Sequence, residues 1–121
     1  MTTFSAKQIS TYLAEHNNRI SLHFFESPAF SHVMDSMGVK PSITITKGRK
    51  PTNDPLAILT ATPPQNYMER THVYITTHDL RRSLQQFVGE IEKDHVLVVR
   101  KGTLHDPKQT VAYVTKPSGP I

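Results

Sequence analysis

Ser42-Ile-Thr-Ile-Thr-Lys-Gly48 and Val96-Leu-Val-Val-Arg-Lys-Gly102 are the two stretches on which the reading of the fold turns. Each is a β-prone run closed by Lys-Gly. The first alternates apolar and hydroxyl residues, the pattern of a half-buried strand, while the second is continuously apolar, the pattern of a buried one. Each passes through a polar loop containing Asp-Pro into another short run, Leu56-Ala-Ile-Leu-Thr60 and Val111-Ala-Tyr-Val-Thr115. Two β-hairpins are therefore predicted, related by an offset of 54 residues from Gly48 to Gly102.

Outward from the second hairpin, His72-Val-Tyr-Ile-Thr76 reads as a strand. A helix follows, capped by Thr77 or Asp79 and carrying Leu80, Leu84, Phe87, Val88 and Ile91. Outward from the first, Ser5 and Gln8 form a capping box, with Phe4 stapled to Ile9. Ile9, Tyr12 and Leu13 then repeat at helical spacing. Arg19 to Phe25 alternates as a strand, with Phe24 directed to the core and Phe25 outward. Ser27-Pro28 opens a helix striped by Phe30, Val33, Met34 and Met37, which Gly38 ends.

Phe4 to Leu13 can be laid on Ile75 to Leu84, an offset of 71, so the first copy is expected to carry 17 extra residues within Arg19 to Asp35. The expected class is α+β, two tandem helix-plus-β-hairpin units packed as a pseudo-dimer. They comprise residues 1–62, with the insertion, and 66–121, joined at Thr62-Pro-Pro-Gln65. A unit of roughly sixty residues buries little surface alone and gains from a second copy.

The composition narrows the chemistry. The 121 residues contain no cysteine and no tryptophan, which excludes disulfides, thiolate metal sites and cysteine nucleophiles. No apolar run nears the ~20 residues of a membrane span, and the opening Met-Thr-Thr-Phe-Ser-Ala-Lys has no leader pattern, so a cytoplasmic protein without membrane contact is expected. Five scattered glycines make no phosphate loop, and no Gly-x-Ser-x-Gly elbow occurs. The seven histidines lack metal-ligand spacing, since His78-Asp79 and His105-Asp106 are merely adjacent pairs. Glu90, Glu92, Lys93 and Asp94 read as a solvated helix end. Neither enzyme activity nor a cofactor or metal is expected.

Fourteen basic against ten acidic residues give a net charge of +4. Lys40, Lys47, Arg49 and Lys50 occur with no acid among them, and Arg81-Arg82 and Arg100-Lys101 are adjacent pairs. Such groups serve either a polyanionic partner or plain solubility.

Val73 to Leu84, Val96 to Gly102 and Val111 to Thr115 together resemble the Phd/YefM antitoxin DNA-binding domain. Asp79-Leu80-Arg81-Arg82-Ser83-Leu84 is similar to that family's acidic-apolar-Arg-x-x-Leu helix. Val99-Arg100-Lys101-Gly102 is similar to its strand end and turn. The resemblance covers about the last 45 residues; the first 62 join it only through the repeat. It implies dimeric repressors of their own promoters, with a C-terminal segment that wraps a toxin. By position it implies DNA contact from Arg81 and Arg100, flanked by Arg82 and Lys101. Laid on the first copy, the two arginine positions hold Ser10 and Thr46, and Lys47, Arg49 and Lys50 stand in as phosphate contacts.

The expected function is double-stranded DNA binding, as a regulator or DNA-masking factor. A phage- or plasmid-type inhibitor or adaptor that binds protein instead is the alternative, with an exposed patch around Phe25 and Met34. A third reading is an antitoxin that neutralises its toxin through the folded surface. The expected state is a pseudo-dimeric monomer or a homodimer.

Overall fold

The computed structural model describes residues 6–27, 30–35, 42–101 and 109–117. Along the first half run α1 (Ala6–Glu15), β1 (Arg19–Ser21), α2 (Leu22–Phe25), α3 (Phe30–Asp35), β2 (Ser42–Thr46) and β3 (Pro55–Thr60). The second half holds β4 (His72–Thr76), α4 (Thr77–Ser83), α5 (Val88–Glu92), β5 (Val96–Arg100) and β6 (Thr110–Thr115). Tyr67–Glu69 and Leu84–Phe87 are 3-10 turns. The α+β class holds, and the six strands form one sheet in the order β1-β2-β3-β6-β5-β4.

Both hairpins form where the β-branched runs predict them. Each is preceded by a strand parallel to its first arm, β1 beside β2 and β4 beside β5. The repeating unit is thus strand, helical crossover, hairpin. Its register agrees residue by residue. Ile20 faces Ile45 as Ile75 faces Val99, and Ile45 faces Ala57 as Val99 faces Ala112. Even the irregularities coincide, between Ile45 and Thr46 and between Val99 and Arg100. The halves meet through antiparallel β3 and β6, where Leu59 faces Val114, flanked by Ile58–Thr115 and Thr60–Tyr113. That pairing is symmetric about a pseudo-two-fold axis through Leu59 and Val114.

These equivalences correct the expected repeat. The offset is 55 for β1/β4 and β3/β6 and 54 for β2/β5, so the offset of 71 and the 17-residue insertion both disappear. The misreading arose because any two amphipathic helices share apolar spacing, which lets α1 be laid on α4. In the structure α1 precedes the first unit and packs against α3.

The second correction concerns Arg19 to Phe25, expected as one strand. Ser21 is extended (φ −78°, ψ 158°), and its hydroxyl accepts the Phe24 N–H at 3.0 Å. This cap ends the strand after three residues and starts the helical turn of α2. The side-chain period changes from two to 3.6 at that point. Phe25 is therefore fully buried, edge-on to Phe30, while Phe24 is only half-buried and stacks on Tyr12 at 4.6 Å. The expected placement of the two rings is inverted. In the second half the cap is Thr76, ahead of both expected candidates, Thr77 and Asp79; its hydroxyl accepts the Asp79 N–H at 3.1 Å. The helix predicted through Ile91 breaks at Leu84–Phe87 into α4 and α5. The expected Phe4/Ser5 cap, Pro28, and the Met37-Gly38 terminus lie outside the described residues, as do Lys40, Gly102 and His105.

One hydrophobic core spans both halves. Ile45, Leu59, Val99 and Val114 from one sheet face pack with Leu13, Phe25, Leu80 and Ile91 from the helices. The opposite face is crossed by the connection from β3 to β4. Those strands are parallel, so the chain must travel back along the sheet between them. Tyr67 pins this crossing: its ring stacks on His72 at 4.1 Å and meets Tyr113 edge-on at 5.2 Å. His72 Nε2–H donates to the Tyr67 carbonyl at 2.7 Å, and Arg70 pairs with Asp94 at 2.9 Å.

Desolvation by burial, then the neighbouring Tyr113 and Tyr74 phenols, raises the Tyr67 pKa above its usual value; desolvation alone raises that of Tyr12. A raised phenol pKa means that the folded state holds its proton longer than the unfolded chain. Its stabilising effect is full below the ordinary phenol pKa and is lost as pH rises through the folded value. Tyrosinate absorbance should keep rising beyond about pH 10, where free phenols are half-ionised. Tyr67→Phe should remove part of that late phase.

Among the described residues no helix is long and apolar enough to cross a membrane.

Candidate nucleic-acid interface

The pseudo-two-fold axis puts the turns after β2 and β5 at opposite ends of the sheet. At the first corner, the backbone of the turn is tied down and its cations stand free of it. Ser21 Oγ donates to the Arg49 carbonyl at 3.0 Å, the His23 N–H donates to the Gly48 carbonyl at 3.2 Å, and Thr46 Oγ1 accepts the Thr52 N–H at 3.2 Å. Gly48 supplies the left-handed bend, φ +91°, that a side chain would strain. Ser21 and Thr46, fully buried hydroxyls, are thus consumed in holding this loop. Lys47, Arg49 and Lys50 project from it and are exposed.

At the second corner Lys101 is exposed and its N–H bonds the Gln109 carbonyl at 2.8 Å. Arg81, half-buried, shares with it a groove of about 360 Å³, whose apolar floor is Phe30, Met34 and Val111 and whose rim includes Thr77 and His78. Arg82 is exposed, its Nη1 3.4 Å from His78 Nε2, and joins Arg81, His78 and Glu26 around an adjoining depression. Among the described residues none of Lys47, Arg49, Lys50, Arg81, Arg82 and Lys101 is in an ion pair.

The axis equates Lys47 with Lys101 and His23 with His78, but equates Arg81 with Glu26. The expected counterpart of Arg81, Ser10, belonged to the mistaken register. Arg100 does not join the second corner. Strand alternation turns it to the opposite face, where its guanidinium lies 4.2 Å from the Tyr74 ring centroid and Nε donates to Thr110 Oγ1 at 3.3 Å. The structure brings Arg81, Arg82 and Lys101 together, holds Lys47, Arg49 and Lys50 together elsewhere, and separates Arg100 from both.

Two further histidines make local contacts. His16 stacks on Tyr12 at 4.0 Å, and His95 Nδ1 lies 2.6 Å from Glu90 Oε2. Among the described residues no three His, Asp or Glu side chains converge as metal ligands. Phe25, expected in an exposed patch, is buried; Met34 remains partly accessible in the groove. Sequence reading missed the Tyr67–His72 clamp, whose one signal was two aromatic side chains five residues apart just after the Pro-Pro linker. In comparisons with known proteins, the chain matches no family model, no curated protein and no solved structure.

Proposed function

We propose that this protein binds double-stranded DNA, as a regulator or masking factor, through its two basic corners. The observation that carries this reading is that six cations, without ion pairs among the described residues, gather at two corners: Lys47, Arg49 and Lys50 on one turn, and Lys101 on the axis-related turn with Arg81 and Arg82 on the helix beside it. Because β3 and β6 pair only around Leu59 and Val114, the two turns lie four residue rises to either side of the axis and two strand spacings apart, about 28 Å on a diagonal and within the ~34 Å of one duplex turn. One short duplex segment therefore reaches both, with Arg81 and Arg82 adding contacts at one end. The resemblance of the second half to the Phd/YefM DNA-binding domain supports the same reading, with Arg81 retained in the role the family implies and Arg100 replaced by Lys101.

Fluorescence anisotropy with a mixed-sequence duplex tests it. About six phosphate contacts make affinity fall roughly a thousandfold between ~50 and ~200 mM salt. Arg81→Ala/Lys101→Ala should weaken binding to all sequences and flatten the salt slope by about two units. Absence of binding at the lower salt would overturn the reading.

A second reading rests on the groove itself. Its apolar floor, with Arg81 and Lys101 on its rim, also fits an inhibitor or adaptor that receives an acidic, partly apolar segment of another protein. Loss of duplex binding with retained groove-dependent protein capture would favour it. An antitoxin role acting through the folded surface would use the same groove.

A further inference from the structure

The sheet ends in two unequal edges. On one side β1 is only three residues long, and its first residue, Arg19, is tied to Asn53 at 2.8 Å. On the other, β4 is five residues long, His72-Val-Tyr-Ile-Thr76, without proline, lysine or bulge. Among the described residues no strand pairs with its outer side. An edge of this kind, β-prone and uncharged, is a template for further pairing. The exposed large apolar side chains among the described residues, Tyr74 and Met68, lie on this strand and on the turn whose Tyr67 stacks on its first residue.

We infer that β4 pairs antiparallel with β4 of a second copy of this chain, joining two six-stranded sheets edge to edge. The phase of the ladder supports this. Val96 lies opposite His72 and donates its N–H to the Thr71 carbonyl at 2.8 Å. In a parallel ladder this turns the backbone groups of Val73 and Ile75 toward β5 and those of His72, Tyr74 and Thr76 outward. Thr76 keeps its carbonyl for α4, leaving its N–H for pairing.

The strand also reads the same in both directions: polar, β-branched, aromatic, β-branched, polar. Centred on Tyr74, an antiparallel copy exchanges the two Tyr74 N–H and carbonyl groups. The His72 carbonyl then receives the Thr76 N–H on either side. Tyr74 meets Tyr74 on the helix-free face, and Val73 meets Ile75 on the core face, both favourable cross-strand combinations. No fixed charge lies on the strand, so self-pairing brings no like charges directly opposite. A foreign strand would find no such matched pattern. The pairing is isologous and therefore closes at two copies. It is independent of the DNA reading, which uses other residues.

A contact of one short strand is small and belongs with weak, transient interfaces. Sedimentation velocity of the full chain should therefore show monomer at about 10 μM and dimer growing toward about 1 mM, the range such interfaces occupy. Tyr74→Lys places like charges opposite each other and should abolish the dimer with circular dichroism unchanged. Tyr74→Thr, which keeps a β-former at the position, should weaken it and covers the case in which the lysine variant fails to fold. Hydrogen exchange adds a phase-specific readout: the Tyr74 and Thr76 amides should slow with rising protein concentration, while those of Val73 and Ile75 should not change. A chain that stays monomeric at the highest concentration would overturn the inference. So would a dimer whose affinity both Tyr74 variants leave intact.

Discussion

Phe25→Ala is expected to lower the free energy of unfolding by about 3–5 kcal/mol, the cost of deleting a fully buried aromatic ring and leaving a cavity. The ring is wholly inaccessible, lies within the buried core cluster and meets Phe30 edge-on at 4.8 Å. Phe24→Ala should cost about 1–2 kcal/mol, the ordinary range for a partly exposed side chain. Its ring stacks on Tyr12 at the surface of the core. Urea unfolding of both variants decides the matter. If residues 19–25 were a continuous strand with Phe24 inward, the order of the two effects would reverse. The comparison therefore tests the helical turn capped by Ser21 as well as the burial of one ring.

Leu59→Ala should be nearly as severe, at about 2–5 kcal/mol, the range for truncating a buried leucine. Leu59 is fully buried and sits on the pseudo-two-fold axis opposite Val114. The loss should be felt equally on both sides. Tyr12 reports on the first half and Tyr67, Tyr74 and Tyr113 on the second. Their fluorescence and the far-ultraviolet dichroism should move to the same lower denaturant midpoint in one transition. Two separated transitions would show that the halves are independent units resting against each other.

Much of the sheet was legible in the residues, because hairpin arms carry their signal locally. Ile43 and Ile45 alternate with hydroxyls, and Val96 to Val99 form an unbroken apolar run; both became strands with nearly the expected bounds. The short parallel strand β1 was only partly legible. Its end depends on whether Ser21 spends its hydroxyl on the backbone, and the run Ile20-Ser-Leu-His-Phe fits a strand and a capped turn equally well. The repeat was visible in the hairpins, yet helix periodicity pulled its other half out of register. For the candidate site, the cations of each turn were found, since turn chemistry exposes them. The fate of Arg100 was not, because a single bulge and the alternation of β5 decide which face receives it.

The connection spanning residues 61–71 has a consequence for how the two halves share their surface. Tethering at short range gives each half an effective concentration of its counterpart in the millimolar range, so their union survives any dilution. A pair of identical subunits must change both copies of a surface at once. Here one gene product can keep arginines at positions 81 and 82 while presenting Glu26 and Ser27 at the matching places. The chain has the geometry of a symmetric dimer with the evolutionary freedom of a heterodimer, and each corner is open to separate selection.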